Sequence, residues 1–149
     1  MKPQGHGFIA KLPSLEKKIT RPINPLYPIE LQTLGDHIRK KRLDLAIEQK
    51  DVAKRIKVTE STICNWENNR NEPVVQHYPK IMDFLGYCPY QHPKNWGERL
   101  RVHRLHLGLS YEKLAKIVEV DPGSIQRWEV SENLPYKHLQ DKVDQFFNS

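Results

Sequence analysis

The chain is predicted to be all-α, built from one helical unit used twice. Apolar residues recur at helical spacings, and no run of useful length shows the period of two that a strand requires. Ile63, Trp66 and Glu67 return as Ile125, Trp128 and Glu129, each 62 residues on. The same offset joins Gly35 to Gly97, Ile38 to Leu100, Arg42 to Arg104, Leu45 to Leu107, Ala53 to Ala115, Val58 to Val120 and Pro73 to Pro135, without a gap. A repeat this faithful sets the architecture before any other feature is weighed. The length agrees: 149 residues accommodate two small domains, each of roughly 55 to 65 residues and near the lower limit for burying its own core.

Residues 1–30 are expected to form a basic, Pro-containing arm without regular structure. Gly5, Gly7, Pro13, Pro22, Pro25 and Pro28 interrupt them, and no apolar period is sustained. The first unit spans residues 31–87, a linker with two prolines residues 88–95, and the second unit residues 96–149. Within the first unit, Leu34, Ile38, Arg42 and Leu45 lie on one helical face, and Leu100, Arg104 and Leu107 repeat the pattern in the second. A second helix begins near Gln49 and buries Val52, Ala53 and Ile56. Its counterpart follows the N-cap candidate Ser110 and buries Leu114, Ala115 and Val118 or Ile117. A third, short helix starts after Thr59 or Asp121, both good caps, and Pro122 takes the first helical position, where its missing N–H costs nothing. Its inner side carries Ile63 and Trp66, or Ile125 and Trp128. Pro73 and Pro135 end the motif, and a closing helix carries Ile81, Phe84 and Leu85, matched by Val143, Phe146 and Phe147.

Composition narrows the function classes. Hydrophobic content of 38% with 28% charged residues is that of a globular chain. No stretch approaches the roughly 20 apolar residues of a membrane span, and the N-terminus lacks the apolar core of an export signal. A cytoplasmic protein is therefore expected, without membrane partners. Cys64 and Cys88 are the only cysteines, too few for a disulfide scaffold, and reduced thiols are expected. The net charge is +6, and half of that excess sits in residues 1–30, which hold 5 basic and 2 acidic groups. Such an arm fits a polyanion partner.

Two helices separated by a short turn, the second capped and ending in Trp-Glu, describe a helix-turn-helix. Gln49 to Asn68, followed by Asn69, Arg70, Asn71, Glu72 and Pro73, resembles the Cro/C1-type helix-turn-helix family, also called the Xre family, of phage repressors and bacterial regulators. Leu109 to Glu129 resembles it again. The resemblance implies two tandem lambda-repressor-like domains and a bacterial or phage-like, nucleoid-associated setting. It also explains why Arg42 and Arg104 stand on an otherwise apolar stripe, where a bare charge is expensive. In the family this arginine pairs with the glutamate after the third-helix aromatic, which implies Arg42 with Glu67 and Arg104 with Glu129 as structural ion pairs. Two departures stand out. Tyr111 replaces the glutamine the family usually has at the position of Gln49. Lys57 and Glu119 occupy a turn position that is commonly glycine because its backbone is left-handed, at a cost of roughly 1 kcal/mol.

In such a motif the third helix reads the major groove and the second lies against the backbone. The outward residues are then Glu60, Ser61, Thr62 and Asn65 in the first unit, and Pro122, Gly123, Ser124 and Arg127 in the second. Asn65 suits adenine, Glu60 a cytosine amino group and Arg127 guanine, while the hydroxyls suit bases or phosphates. The free N–H groups at the start of the second helix attract phosphate, aided by Gln49 and Lys50 in one unit and by Ser110 and Tyr111 in the other. Arg70 and Lys137 are further phosphate candidates. The arm, through Lys11, Lys17, Lys18 and Arg21, either follows phosphates and the minor groove or serves as a dimerisation or solubilising tail.

Sharper readings fail on spacing. Cys64, Cys88 and His92, or His103 and His106, lack the paired spacing of a structural zinc site. Phosphate-loop and nucleophile motifs are missing, so no enzyme activity, cofactor, metal or small-molecule ligand is expected. The sequence thus favours specific binding of double-stranded DNA by a transcriptional regulator reading two unlike half-sites. The competing reading is a protein-interaction or dimerisation module, with the second unit serving a second copy or a partner such as a toxin or recombinase.

Overall fold

The computed structural model describes residues 27–90, 92–131 and 133–149. Lys11, Lys17, Lys18 and Arg21 of the expected arm lie outside the described residues. Where the arm meets the first helix it is engaged: the Tyr27 hydroxyl donates to Asp44 Oδ1 at 2.7 Å.

Eight α-helices and one 3₁₀ turn make up the regular structure of the described residues, with no strand among them. The first half contains α1 (Leu34–Asp44), α2 (Gln49–Ile56), α3 (Glu60–Glu67), a 3₁₀ turn (Val75–His77) and α4 (Tyr78–Leu85). The second contains α5 (Trp96–Leu107), α6 (Tyr111–Val118), α7 (Pro122–Val130) and α8 (Lys137–Asn148). The helix starts follow from local chemistry. Thr33 and Asp36 form a reciprocal capping box on α1, while Thr59, Asn95, Ser110 and Asp121 each accept a hydrogen bond from the backbone N–H three residues on. Helix α2 begins differently: Asp51 turns back to accept from the Glu48 backbone N–H at 2.9 Å.

The core of the first half is Ile38, Val52, Ala53, Ile56, Ile63, Trp66, Ile81 and Leu85. That of the second is Trp96, Leu100, Leu114, Ala115, Val118, Ile125 and Val143, with Trp128 and Phe147 packed against it. With 62 added, each core position of the first half falls on a core or core-packing position of the second. Each buried aliphatic side chain contributes about 1.5–3 kcal/mol.

The expected face of the first helices needs one correction. Leu45 and Leu107 are exposed, at 42% and 53%, rather than buried. Helix α1 stops at Asp44, and Ala46 (φ 54°) and Gly108 (φ 66°) turn the chain in left-handed conformations at equivalent places. Leu45 lies past the end of α1 and Leu107 is the last residue of α5, and beyond the turns Ile47 and Leu109 pack against the cores instead. Of the two α6 alternatives, Val118 is buried and Ile117 is 44% exposed.

The turn between α2 and α3 is left-handed at Lys57 (φ 65°, ψ 51°), as is that between α6 and α7 at Glu119 (φ 60°, ψ 51°). Glycine adopts this backbone without the Cβ penalty. Lys57→Gly and Glu119→Gly are therefore each expected to stabilise the chain by about 1 kcal/mol. The pairing of Glu119 with Lys142 at 3.6 Å is exposed and offsets little of this. A denaturation midpoint that stays put or falls in both variants would contradict the strain assigned to the turns.

The halves touch. Helices α4 and α5 pack together through Tyr78, Met82 and Leu105, all buried, with Cys88 and Tyr90 of the connecting segment against them. No helix among the described residues is long and apolar enough to cross a membrane.

Candidate nucleic-acid interface

Helix α3 is held by a clamp at its end and presents its start. Arg42 donates from Nε to Glu67 Oε1 at 2.7 Å and from Nη2 to Oε2 at 2.9 Å, the forked geometry a guanidinium offers a carboxylate. Its Nη1 reaches the Ile47 carbonyl at 3.4 Å, so one side chain ties α1, the turn before α2 and the end of α3. The Glu67 side chain is fully buried and draws two further donors: the Gln49 amide at 2.9 Å, and Arg39, whose Nε lies 3.6 Å away.

The second half repeats this arrangement with different parts. Arg104 donates to Glu129 at 2.6 and 2.9 Å and to the Leu109 carbonyl at 2.9 Å. Tyr111, where the first half has Gln49, donates its hydroxyl to Glu129 at 3.2 Å, and its ring lies 4.1 Å from the Arg104 guanidinium carbon. Burial works against the Arg104 charge, but the hydrogen bonds and charge of Glu129 outweigh it and raise the pKa. Burial, followed by the charge of Glu129, raises that of the Tyr111 hydroxyl. Both groups therefore keep their protons throughout the physiological range.

This places Gln49 and Tyr111 at the clamp, where their polar ends serve the buried carboxylate rather than standing free at the helix start. The physical reason is that a buried carboxylate needs its lone pairs satisfied. Ser110 is likewise occupied, capping α6 through the Lys113 N–H at 3.2 Å. Lys50 pairs with Glu48 at 3.2 Å, and Lys137 with Asp141 of α8 at 2.6 Å, so Lys137 is directed along its own helix.

The outward start of α3 is a cluster of hydroxyls. Thr59 Oγ1 accepts from the Thr62 N–H and lies 2.8 Å from the Thr62 hydroxyl and 3.0 Å from that of Ser61. Glu60 and Ser61 are exposed, Thr62 and Asn65 half-buried. Arg70 reaches back to Asn65 Oδ1 at 3.4 Å, bringing a basic end beside the amide. On α7 the equivalent surface is sparser: Arg127 folds onto the Ser124 hydroxyl at 2.9 Å, above Gly123. Among the described residues, no group of three or more His, Cys, Asp or Glu side chains is gathered as a metal site would need.

Two contributors escaped sequence reasoning. Arg39 also donates to Asn68 Oδ1 at 2.9 Å; its place three residues before Arg42, on the same side of α1, was the available signal. Gly35 and Gly97 are the other, and the shared offset marked them without revealing why. A Cβ on Gly35 would lie 2.0 Å from the Trp66 carbonyl oxygen, and one on Gly97 2.1 Å from that of Trp128. These glycines let the first and third helices meet backbone to backbone.

Residues 38–91 match a family model described as helix-turn-helix, which takes in α2, α3 and α4 whole and most of α1. No curated protein and no solved structure matches the chain.

Proposed function

From the premise that residues 38–91 form a helix-turn-helix domain of the Cro/C1 type, a family of DNA-binding regulators, we propose that the chain is a sequence-specific double-stranded DNA-binding transcriptional regulator that reads two unlike half-sites. The observation that carries the reading is the combination of a clamped α3 with a polar, unclamped start. Glu60, Ser61, Thr62 and Asn65 stand on a rigid support, with Arg70 alongside, as a groove-reading helix requires. Asn65 reads adenine and Arg70 holds a phosphate.

The second half is proposed as a second helix-turn-helix unit, because its core and clamp fall at the offset of 62. Its reading differs. Arg127 must leave Ser124 to reach guanine, and Gly123 permits close approach of the α7 backbone. The expected result is that Asn65→Ala and Arg127→Ala each lower discrimination about tenfold, at separate positions of the bound sequence. Selection of duplexes from a random pool by the full chain and by each variant measures this. If both variants relaxed the same base positions, tandem reading would be wrong.

A second reading draws on a specific surface. Val130, the last residue of α7, and Leu134 and Tyr136 beyond it are 81%, 56% and 79% exposed. Apolar side chains left in water at this density suit a protein contact, so the second half serves a second copy or a protein partner under this reading. It predicts that Arg127→Ala leaves DNA selection untouched and that Tyr136→Asp shifts the size of the particle in sedimentation.

A further inference from the structure

The segment between the halves behaves as part of an interface rather than as a tether. Tyr78, Met82 and Leu105 form a buried cluster of their own, at 6%, 7% and 4% exposure, separate from the two cores. Tyr90 of the connecting segment stacks on Tyr78 with ring centroids 6.4 Å apart, and Arg101 of α5 lies 4.9 Å from the Tyr90 ring centre. Gly108, left-handed at the end of α5, meets Pro79 of α4 so closely that an added Cβ would stand 3.0 Å from Pro79 Cγ. Contacts thus come from α4, α5, the connecting segment and the turn after α5. A flexible connection of eight residues would allow many arrangements of its ends; apolar burial on this scale selects one.

We propose that the Tyr78–Met82–Leu105 interface fixes the two halves as one rigid body, so that the chain selects duplexes by the spacing between half-sites as well as by their bases. The inference rests on the reading of both halves as DNA-binding units. Its physical basis is that a half-site moved by one base pair is both translated and rotated around the duplex. A rigid pair of reading helices cannot follow, whereas a tethered pair adjusts at little cost. Tyr78, Met82 and Leu105 are then specificity-determining residues that touch no base.

The test has two arms. In the first, ¹⁵N relaxation of the full chain without DNA is expected to give α2–α3 and α6–α7 one common rotational correlation time. Met82→Ser with Leu105→Ser, which spares both cores, is expected to separate the two halves' tumbling, and Tyr90→Ala to do so in part. In the second, duplexes selected from a random pool by the full chain are remade with base pairs inserted or deleted between the half-sites. The unaltered chain is expected to lose about tenfold or more in affinity for a single-pair change. The interface variant is expected to show a flat profile, with unchanged affinity for duplexes bearing one half-site. Independent tumbling of the halves in the unaltered chain overturns the rigid interface. Common tumbling with a flat spacing profile overturns its role in selection. Common tumbling with no selected sequence at all instead sinks the DNA-binding reading, which separates the two failures.

Discussion

Glu67→Ala is expected to destabilise the first half by about 3–5 kcal/mol, because it removes the carboxylate and leaves the Arg42 guanidinium partly buried without its counter-charge. The number follows from geometry. The Glu67 side chain is fully buried, and Arg42, Gln49 and Arg39 converge on its two oxygens. Truncation strands donors on α1 and α2 together, and loosens the end of α3 from both. A small domain's core supplies a net stability of about the same size, so the variant half is left near its unfolding threshold. Glu67→Gln keeps the volume and one acceptor, and is expected to lose about 1.5–3 kcal/mol, as for hydrogen bonds to a charged group. Replacing both partners, as in Arg42→Met with Glu67→Leu, is expected to recover much of the loss, because the cost lies in an unpaired buried charge rather than in the absence of the pair. Urea unfolding of the full chain followed by circular dichroism distinguishes these cases: Glu67→Ala produces an early transition that the double replacement moves back. An unmoved midpoint in Glu67→Ala would show that the clamp does not hold the fold.

How far the fold was legible depends on the range of each interaction. Helix starts at Thr59, Ser110 and Asp121 were legible because a cap and the N–H it satisfies lie within three residues. The apolar stripes were legible within the helices and failed at their ends, at Leu45, just past α1, and at Leu107, the last residue of α5, where the chain is about to turn through the left-handed Ala46 and Gly108. Periodicity carries no information about where a helix stops, and at Ala46 no glycine marked the turn. Positions that differ across the repeat invite a reading as DNA contacts, yet Gln49 and Tyr111 differ while doing the same work. An amide and a phenol both deliver one hydrogen bond to a buried carboxylate, and only the three-dimensional position of Glu67 and Glu129 reveals that equivalence. Legibility was least at the contact between halves. Tyr78 and Met82 lie on α4 and Leu105 on α5, in a cluster separate from either core; Leu105 repeats Leu43 at the offset of 62, but Tyr78 and Met82 fall on Gln140 and Asp144, so the repeat gives no sign of the contact. Conversely, the outward placement of Ser61 and Asn65 was readable, since it is fixed by helical spacing from Ile63 and Trp66.

Gly35→Ala puts local propensity and long-range packing in direct opposition, and packing is expected to win. Alanine is favoured over glycine by about 1 kcal/mol in a helix interior and by less in the first turn, where Gly35 is the second helical residue, so an isolated α1 would still gain from the change. In the folded chain the new methyl would stand 2.0 Å from the Trp66 carbonyl oxygen and 2.9 Å from Asn69 Oδ1. The first of these contacts is with backbone, which no rotamer change relieves. Helix α1 must then retreat from α3 by an ångström or more, and the adjacent residue, Glu67, is the one Arg42 grips. Relief of the clash therefore stretches the clamp and uncovers Trp66, which is 3% exposed. Overpacking in a closed core costs about 1–3 kcal/mol, and the coupled loss of charge-assisted hydrogen bonds carries the net effect to the upper end of that range or beyond. Gly97→Ala meets the Trp128 carbonyl at 2.1 Å, but Trp128 is only partly buried. It is accordingly expected to cost less than Gly35→Ala while pointing in the same direction. Because α3 is carried on this contact, Gly35→Ala is also expected to weaken binding to selected duplexes beyond its effect on the folded fraction. Urea denaturation of both variants decides the matter by sign: a rise in midpoint for Gly35→Ala would mean that helix propensity governs the site and that α1 and α3 do not meet backbone to backbone.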